Sequence, residues 1–275
     1  MKDERGRDVA LPLRRGGDRC IFHARPFNCC PVKDFSGPLV TLFIDLETSG
    51  TDVANDRILE LSAVQALPGS TGASFSTVVR VDTELLMTPH AQQAARVHGI
   101  PMEEIEASPY FPECWHRFLD FANGLLNEAI HDEPDSSDED LVFLPRPTDE
   151  PPTLLLAGHN GFSFDFAMLL FECQRHNLDL MIFENWLFAD SLQVLQTMNQ
   201  ESGACFKLQC LTKTCSGAHD LQAHRGRDDC IALLRVIQIV SAQVGLTVDT
   251  LMRFFLHRFV AEISIAQVRS LLVTD

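Results

Sequence analysis

Positive charge is scarce in this sequence. Lysine and arginine number 22 against 38 aspartates and glutamates, a net charge of −16 at neutral pH over 275 residues. So acidic a chain does not suit broad, sequence-independent binding to duplex backbone, which needs a basic face. An enzyme that grips only the end of a strand through bound cations stays open, because the cations cancel part of the acid. Long apolar runs are missing as well: "LLRVIQIV" is among the longest and is far too short to span a bilayer. The first twenty residues mix charges around no apolar core, so neither a secretory signal nor a membrane partner is expected. Nine cysteines, an odd number spread along a mid-sized chain, suit reduced thiols better than a disulfide framework. That places the chain inside a cell, in nucleus or cytoplasm.

What is present suffices for a sizeable core, since 45% of residues are hydrophobic. Residues 1–36 read as an N-terminal arm, possessing eight Lys/Arg, five Asp/Glu and few periodic apolar positions. Three strand-like runs follow, "LVTLFIDLE", "RILELSAVQAL" and "FSTVVRV", separated by turn signals. Helical spacing predicts helices over about 90–97 and 109–130. The stretch 131–152 is acidic, rich in Pro and Ser and aperiodic, and reads as a surface insertion. Beyond it, "TLLLAGHN" reads as a buried strand and "FDFAMLLFECQRHN" as a helix. "LFADSLQVLQTM" reads as a strand entering a helix, and "FKLQCLTKTC" and "RDDCIALLRVIQIVSAQV" as further helices. Residues 246–275 are expected to form a helical extension. Strands first, then alternating helices and strands, imply an α/β fold: a mixed central sheet flanked by helices on both sides.

Three places carry carboxylates at the ends of these elements. Asp45 and Glu47 stand two apart on a strand, so period two aims both at one face. Asp165 opens a helix just after a strand that ends at His159 and Asn160. His224 precedes Asp229 by five positions, and Asp229 begins another helix, with Asp228 competing for its role. Taken singly, each fragment is equally a solvated edge, a helix-dipole acid or a surface histidine. Unpaired carboxylates side by side at a core edge are costly, which points to a divalent metal.

As an ordered set, these residues resemble the DEDDh family of 3′–5′ exonucleases, the proofreading and three-prime repair type. "FIDLETSG" resembles its first motif, "HNGFSFD" its second, and His224 with Asp229 its third. The likeness covers roughly residues 38–240, within an exonuclease domain spanning 37–275. The resemblance implies an RNase H-like α/β fold and hydrolysis of phosphodiesters with two cations, Mg²⁺ or substituting Mn²⁺, held by Asp45, Glu47, Asp165 and Asp229. It implies His224 as general base; a sister group uses tyrosine, but the one tyrosine, Tyr110, is far from Asp229 in sequence. It also implies that "AARVHGIPMEEI" lines the pocket for the terminal nucleotide. Leu46 and Ile100 would wedge the base and Thr48 would meet the 3′-hydroxyl, with His98, Asn160 and Phe164 also binding substrate. The implied partner is a DNA 3′ end, single-stranded in preference, with RNA as the alternative polymer and a non-catalytic interaction module as the rival class. Oligomeric state, a homodimer included, is left open. "FKLQCL" and "SIAQVRSLL" are similar to the exonuclease-like tail of the longest PML protein isoform, a PML-like exonuclease relative. The basic loop that some repair enzymes carry before the third motif is absent. Cys20, His23, Cys29 and Cys30 lack the paired knuckle of a zinc site, and Cys205, Cys210 and Cys215 read as core thiols.

Overall fold

The computed structural model describes residues 27, 29–131, 150–199, 204–216 and 225–260. Most of the expected arm, most of the acidic insertion, His224 and "SIAQVRSLL" lie outside the described residues.

Among the described residues one seven-stranded sheet organises the fold. Its strands are β1 (Cys29–Pro31), β2 (Leu39–Thr48), β3 (Ile58–Leu67), β4 (Ser70–Val78), β5 (Thr153–Gly158), β6 (Leu187–Asp190) and β7 (His257–Phe259). The spatial order is β1-β7-β6-β5-β2-β3-β4. β2 pairs antiparallel with β3 and parallel with β5, and β5 pairs parallel with β6. The sheet is therefore mixed, as the alternation of elements predicts.

The helices are α1 (Thr83–Leu86), α2 (Pro89–His98), α3 (Met102–Ala107), α4 (Phe111–His131), α5 (Asp165–Arg175), α6 (Ser191–Met198), α7 (Leu208–Ser216), α8 (Gly226–Gln243) and α9 (Val248–Arg253). Strand alternation divides the apolar residues of β2 between two cores. Leu42, Ile44 and Leu46 join Trp115 and Phe118 of α4 and Phe166 and Leu170 of α5. Phe43, together with Val64 of β3, joins Leu233, Val236 and Ile237 of α8 on the other face. A third, smaller cluster gathers Leu59, Val81, Leu86, Ile100 and Ile105 under the α1–α3 connection.

Several expectations need correction. Cys29–Pro31 falls inside the expected arm yet pairs with β7, and Phe27 is buried against Phe188 and Phe259 at centroid distances of 4.8 and 5.0 Å. The third strand-like run is shifted: β4 ends at Val78, and Arg80 makes only an isolated bridge to Tyr110. The helix expected through "TVDTLMRFFLHRFV" stops at Arg253, and His257–Phe259 is a strand. Cys205 and Cys210 form a disulfide instead of packing as thiols. The turn that starts α7 brings their α-carbons to 6.0 Å, an ordinary bridging distance. Cys114, Cys173 and Cys230 are buried thiols. No helix among the described residues is long and apolar enough to cross a membrane.

Candidate active site

The site lies where β2 ends against the start of α8. Alternation puts Asp45 and Glu47 on the face of β2 that carries Phe43, the face covered by α8. Gly226 opens α8 close to the sheet: a Cβ there would stand 2.8 Å from Ser62 Oγ, so a larger residue would push the helix away. The first turn of α8 thus delivers Asp229 to the strand. Asp45, Glu47 and Asp229 each offer an oxygen, and the three lie within 4.8 Å of one another. Asp228, the neighbour that competes with Asp229 in the sequence, is outside this group.

Asp165, the first residue of α5, is buried and takes a hydrogen bond from the Leu46 amide. It is not one of the converging three, yet its charge bears on Asp45. Burial, then the charges of Asp165, Asp229, Glu47 and Glu60, raises the Asp45 carboxyl well above its ordinary value. Glu47 is pushed up to about 8 by burial first and Asp229 next, with Arg225 acting in the opposite sense. Asp165 rises to about 7, mainly through burial, with Asp190 adding to it and the Asp165 and Leu46 amides working against it. These acids repel one another at a core edge. An all-oxygen set of this kind fits a hard divalent cation, whose charge would favour the ionised carboxylates.

A fifth acid stands beside them. Glu60 of β3 lies across the ladder from Glu47 and is 1% exposed. It accepts from Ser76 Oγ at 2.7 Å and from the Gly226 amide at 3.4 Å. Arg225, just before α8, lies 3.4 Å from both Glu60 and Glu104. One guanidinium therefore ties β3, α3 and the start of α8 together. Sequence alone does not single out Glu60 or Arg225; the alternation of "ILEL" places Glu60 on a strand, but only pairing brings it opposite Glu47.

The expected substrate residues separate into groups. His98 is buried, and its Nδ1 accepts from the Ile100 amide at 3.0 Å, so its proton resides on Nε2. Nε2 is buried with no hydrogen-bond partner among the described residues. Burial lowers the His98 pKa, which keeps the ring neutral. Thr48 Oγ1 donates to the Gly50 carbonyl at 2.6 Å and closes the turn after β2, leaving its lone pairs as acceptors. Phe164 precedes α5 and is half-buried against the larger core. Asn160 is exposed at φ 62°, and its amide donates to Asp190 at 2.9 Å. Leu46, one residue from Asp45, points to the opposite face of β2 and packs in the larger core. Ile100 likewise fills the third cluster, at 5% exposure. His159, in the second motif, is held by Ser191 Oγ at 3.0 Å and the Phe206 carbonyl at 2.7 Å. Asp190 is a residue that sequence reading missed: it caps α6 and fixes Asn160, and the Asp-Ser pair after "LFA" is the cap signal that could have flagged it.

The chain is thus an α/β protein with a mixed sheet and a carboxylate cluster at the end of β2 and at the starts of two helices. Residues 42–154 match the family RNase_T, described as Exonuclease. The chain is similar to "Exonuclease DPD1, chloroplastic/mitochondrial" of Arabidopsis thaliana, 25% identical over 225 residues, 80% of this chain and 61% of that protein. It thus spans about three fifths of that relative's length. Its fold matches a structure described as "3'-end specific recognition of histone mRNA stem-loop by 3'-exonuclease", with a TM-score of 0.56, 17% identity and 77% and 84% of the two chains covered. It also matches the nuclease domain of 3'hExo, a DEDDh family member bound to rAMP, with a TM-score of 0.54, 15% identity and 76% and 96% covered.

Proposed function

We propose that this chain is a metal-dependent 3′–5′ exonuclease that releases nucleoside monophosphates from DNA 3′ ends, single-stranded ends in preference. The observation that carries the reading is the convergence of Asp45, Glu47 and Asp229 within 4.8 Å on an otherwise closed sheet face. Those three would hold a divalent cation, Mg²⁺ with Mn²⁺ as substitute, and Asp165 would serve a second. Cations bound there supply positive charge at the scissile phosphate and make water more acidic.

The chain's own residues do the rest. His224, five residues before Asp229, takes the proton of the attacking water, a task suited to a group that titrates near neutrality. The water oxygen bonds to phosphorus while the bond to the preceding nucleotide's 3′-oxygen breaks, leaving a new 3′-hydroxyl and a 5′-monophosphate. His98 offers its Nε2–H, buried and without a partner among the described residues, to the terminal nucleotide. Phe164, at the entrance of α5, gives the next base an aromatic face. We place the enzyme inside the cell; the plant relative's name adds an organelle to the nucleus and cytoplasm that composition suggests.

The test is hydrolysis of matched DNA and RNA oligonucleotides with Mg²⁺ or with chelator. DNA should be shortened from 3′-hydroxyl ends only, with 3′-phosphate ends and circular single strands resistant. Preferential shortening of RNA would reassign the substrate to an exoribonuclease, since the choice turns on room for a 2′-hydroxyl. No hydrolysis of either polymer would leave a non-catalytic interaction module.

A further inference from the structure

We propose that a second site, formed by Arg57, Arg80 and Arg175, binds a phosphate group. These three arginines are among the residues lining a cavity of about 200 Å³ between the α4 start and the α5 end. Arg57 immediately precedes β3 and Arg80 follows β4, so three distant pieces of an acidic chain bring cations to one hollow.

Not all of that charge is answered. Arg175 pairs with Glu172, which is 2% exposed, and donates to the Ala54 carbonyl at 2.6 Å. Arg57 donates to the Asn55 and Asp56 carbonyls, which are neutral acceptors. Arg80 lies over the Tyr110 ring at 5.1 Å. Among the described residues neither Arg57 nor Arg80 is in a salt bridge. Asp82 also lines the cavity and Asp56 adjoins it, and both favour the charged Arg57. Even so, burial and then the charge of Arg57 push Arg175 down to about 10. Two half-buried guanidiniums thus act against each other at this space, with Glu172 and Asp82 answering only part of the charge of the three arginines.

A phosphate suits this arrangement. Its oxygens accept from several forked guanidiniums at once, a geometry that arginine matches and lysine does not. The first turn of the 21-residue α4 also reaches the cavity through Tyr110 and Phe111, adding the positive end of a long helix. α5 ends at the same place with the opposite sign, and Arg175 and His176 stand over that end. The phosphate could belong to a free monoester or to a strand held at the carboxylates. Glu172 lies seven residues along α5 from Asp165, about 10 Å at the helical rise, which is within reach of that same strand.

The inference does not rest on the exonuclease reading and is tested without metal. In a phosphate-free buffer with chelator, inorganic phosphate, thymidine 5′-monophosphate and a 3′-phosphorylated single-stranded oligonucleotide are titrated into the wild type and the Arg57→Gln/Arg80→Gln variant. Affinity comes from calorimetry or from the rise in Tm with ligand, with chloride at equal ionic strength as control. The expected result is binding by wild type that weakens about tenfold or more in the variant, the size of an effect worth about 1.4 kcal/mol. Loss confined to the two small phosphates identifies a free monoester as the ligand, and loss confined to the oligonucleotide identifies a strand phosphodiester. Should the double variant unfold, the exposed Arg80→Gln alone is compared. No binding by wild type, or equal binding by variant and wild type, overturns the proposal. An absence of metal-dependent hydrolysis in the wild type would sink the exonuclease reading and leave this one standing.

Discussion

Glu60 faces Glu47 directly across the β2–β3 ladder, and the charge that makes this tolerable is Arg225, 3.4 Å from the Glu60 carboxylate. Two acids opposite one another destabilise a strand pair unless something intervenes. Here the answering cation sits immediately after His224, so the balance of charge on β3 also fixes where the approach to α8 lies.

Glu60 is therefore predicted to position the loop before α8. Glu60→Ala leaves the Gly226 amide without its acceptor and Arg225 with Glu104 alone, and should cost about 1–3 kcal/mol in denaturant unfolding. Glu60→Gln can keep its oxygen as acceptor for the Gly226 amide while its new NH2 donates to Ser76 Oγ, and should spare most of that stability. It still removes the tie from Arg225 to β3, leaving the guanidinium held by Glu104 alone, and kcat should fall roughly tenfold, about 1.4 kcal/mol of barrier, with KM little changed. Wild-type kcat in Glu60→Gln would show that the ion pair has no positioning role.

The carboxylate cluster predicts how stability follows pH. Glu47 and Asp165 have folded pKa values raised to about 8 and about 7 from ordinary values of 4.5 and 3.8. The folded state holds those protons more tightly than the unfolded chain, so their contribution is fully present below the ordinary values. It is lost as pH rises through about 7 to 8. In chelator, Tm should fall between pH 5 and 8.5. Millimolar Mg²⁺ should raise Tm most at the alkaline end, because cation binding favours the ionised acids. A metal-free Tm that is flat across this range would contradict the mutual repulsion of these groups.

His224→Ala should lower kcat by about 10²–10⁴, the range of a lost general base, with DNA binding retained. Its rate should lose the rise with pH that the wild type shows near neutrality, and alkaline pH should restore part of the activity. Asp45→Asn should be at least as severe through loss of metal occupancy, which calorimetric titration of Mn²⁺ would register. Full activity of His224→Ala at neutral pH would make His224 an ordinary residue.

His98 offers a cleaner separation of stability from substrate binding. His98→Ala removes the acceptor for the buried Ile100 amide and should cost about 1–3 kcal/mol. His98→Asn can return an acceptor to that amide while deleting the ring donor Nε2–H. Its Tm should stay near wild type while KM for 3′-hydroxyl ends rises roughly tenfold, the loss expected for one buried hydrogen bond. An unchanged KM in His98→Asn would show that the unmet donor does not meet substrate.

Much of this molecule is legible from local pattern. Strand alternation alone puts Asp45 and Glu47 on one face and Leu46 on the other. Helix periodicity finds α4, α5 and α8 nearly to their ends, because each has one broad face to bury and enough turns to show it. The four acids are recognisable because each stands at the end of an element whose apolar run is itself a strong signal. Short elements fail that test. "HRF" carries no periodicity of its own, and the apolar run "LMRFFLHRFV" fits a helix equally well; only the open edge of β6 and the partner β1 make it a strand.

Relationships between distant segments arise only when the chain has folded. That Asp229 and not Asp228 joins Asp45 and Glu47 depends on the angle at which α8 starts, set by the close approach of Gly226 to Ser62. The facing of Glu60 and Glu47, the bracing of Arg225 between β3 and α3, and the gathering of Arg57, Arg80 and Arg175 likewise join residues far apart in the chain. Sequence fixes which side chains can carry charge and which face of an element they occupy. Coulomb energy and desolvation depend on distance and burial, and those exist only once the sheet has closed against its helices.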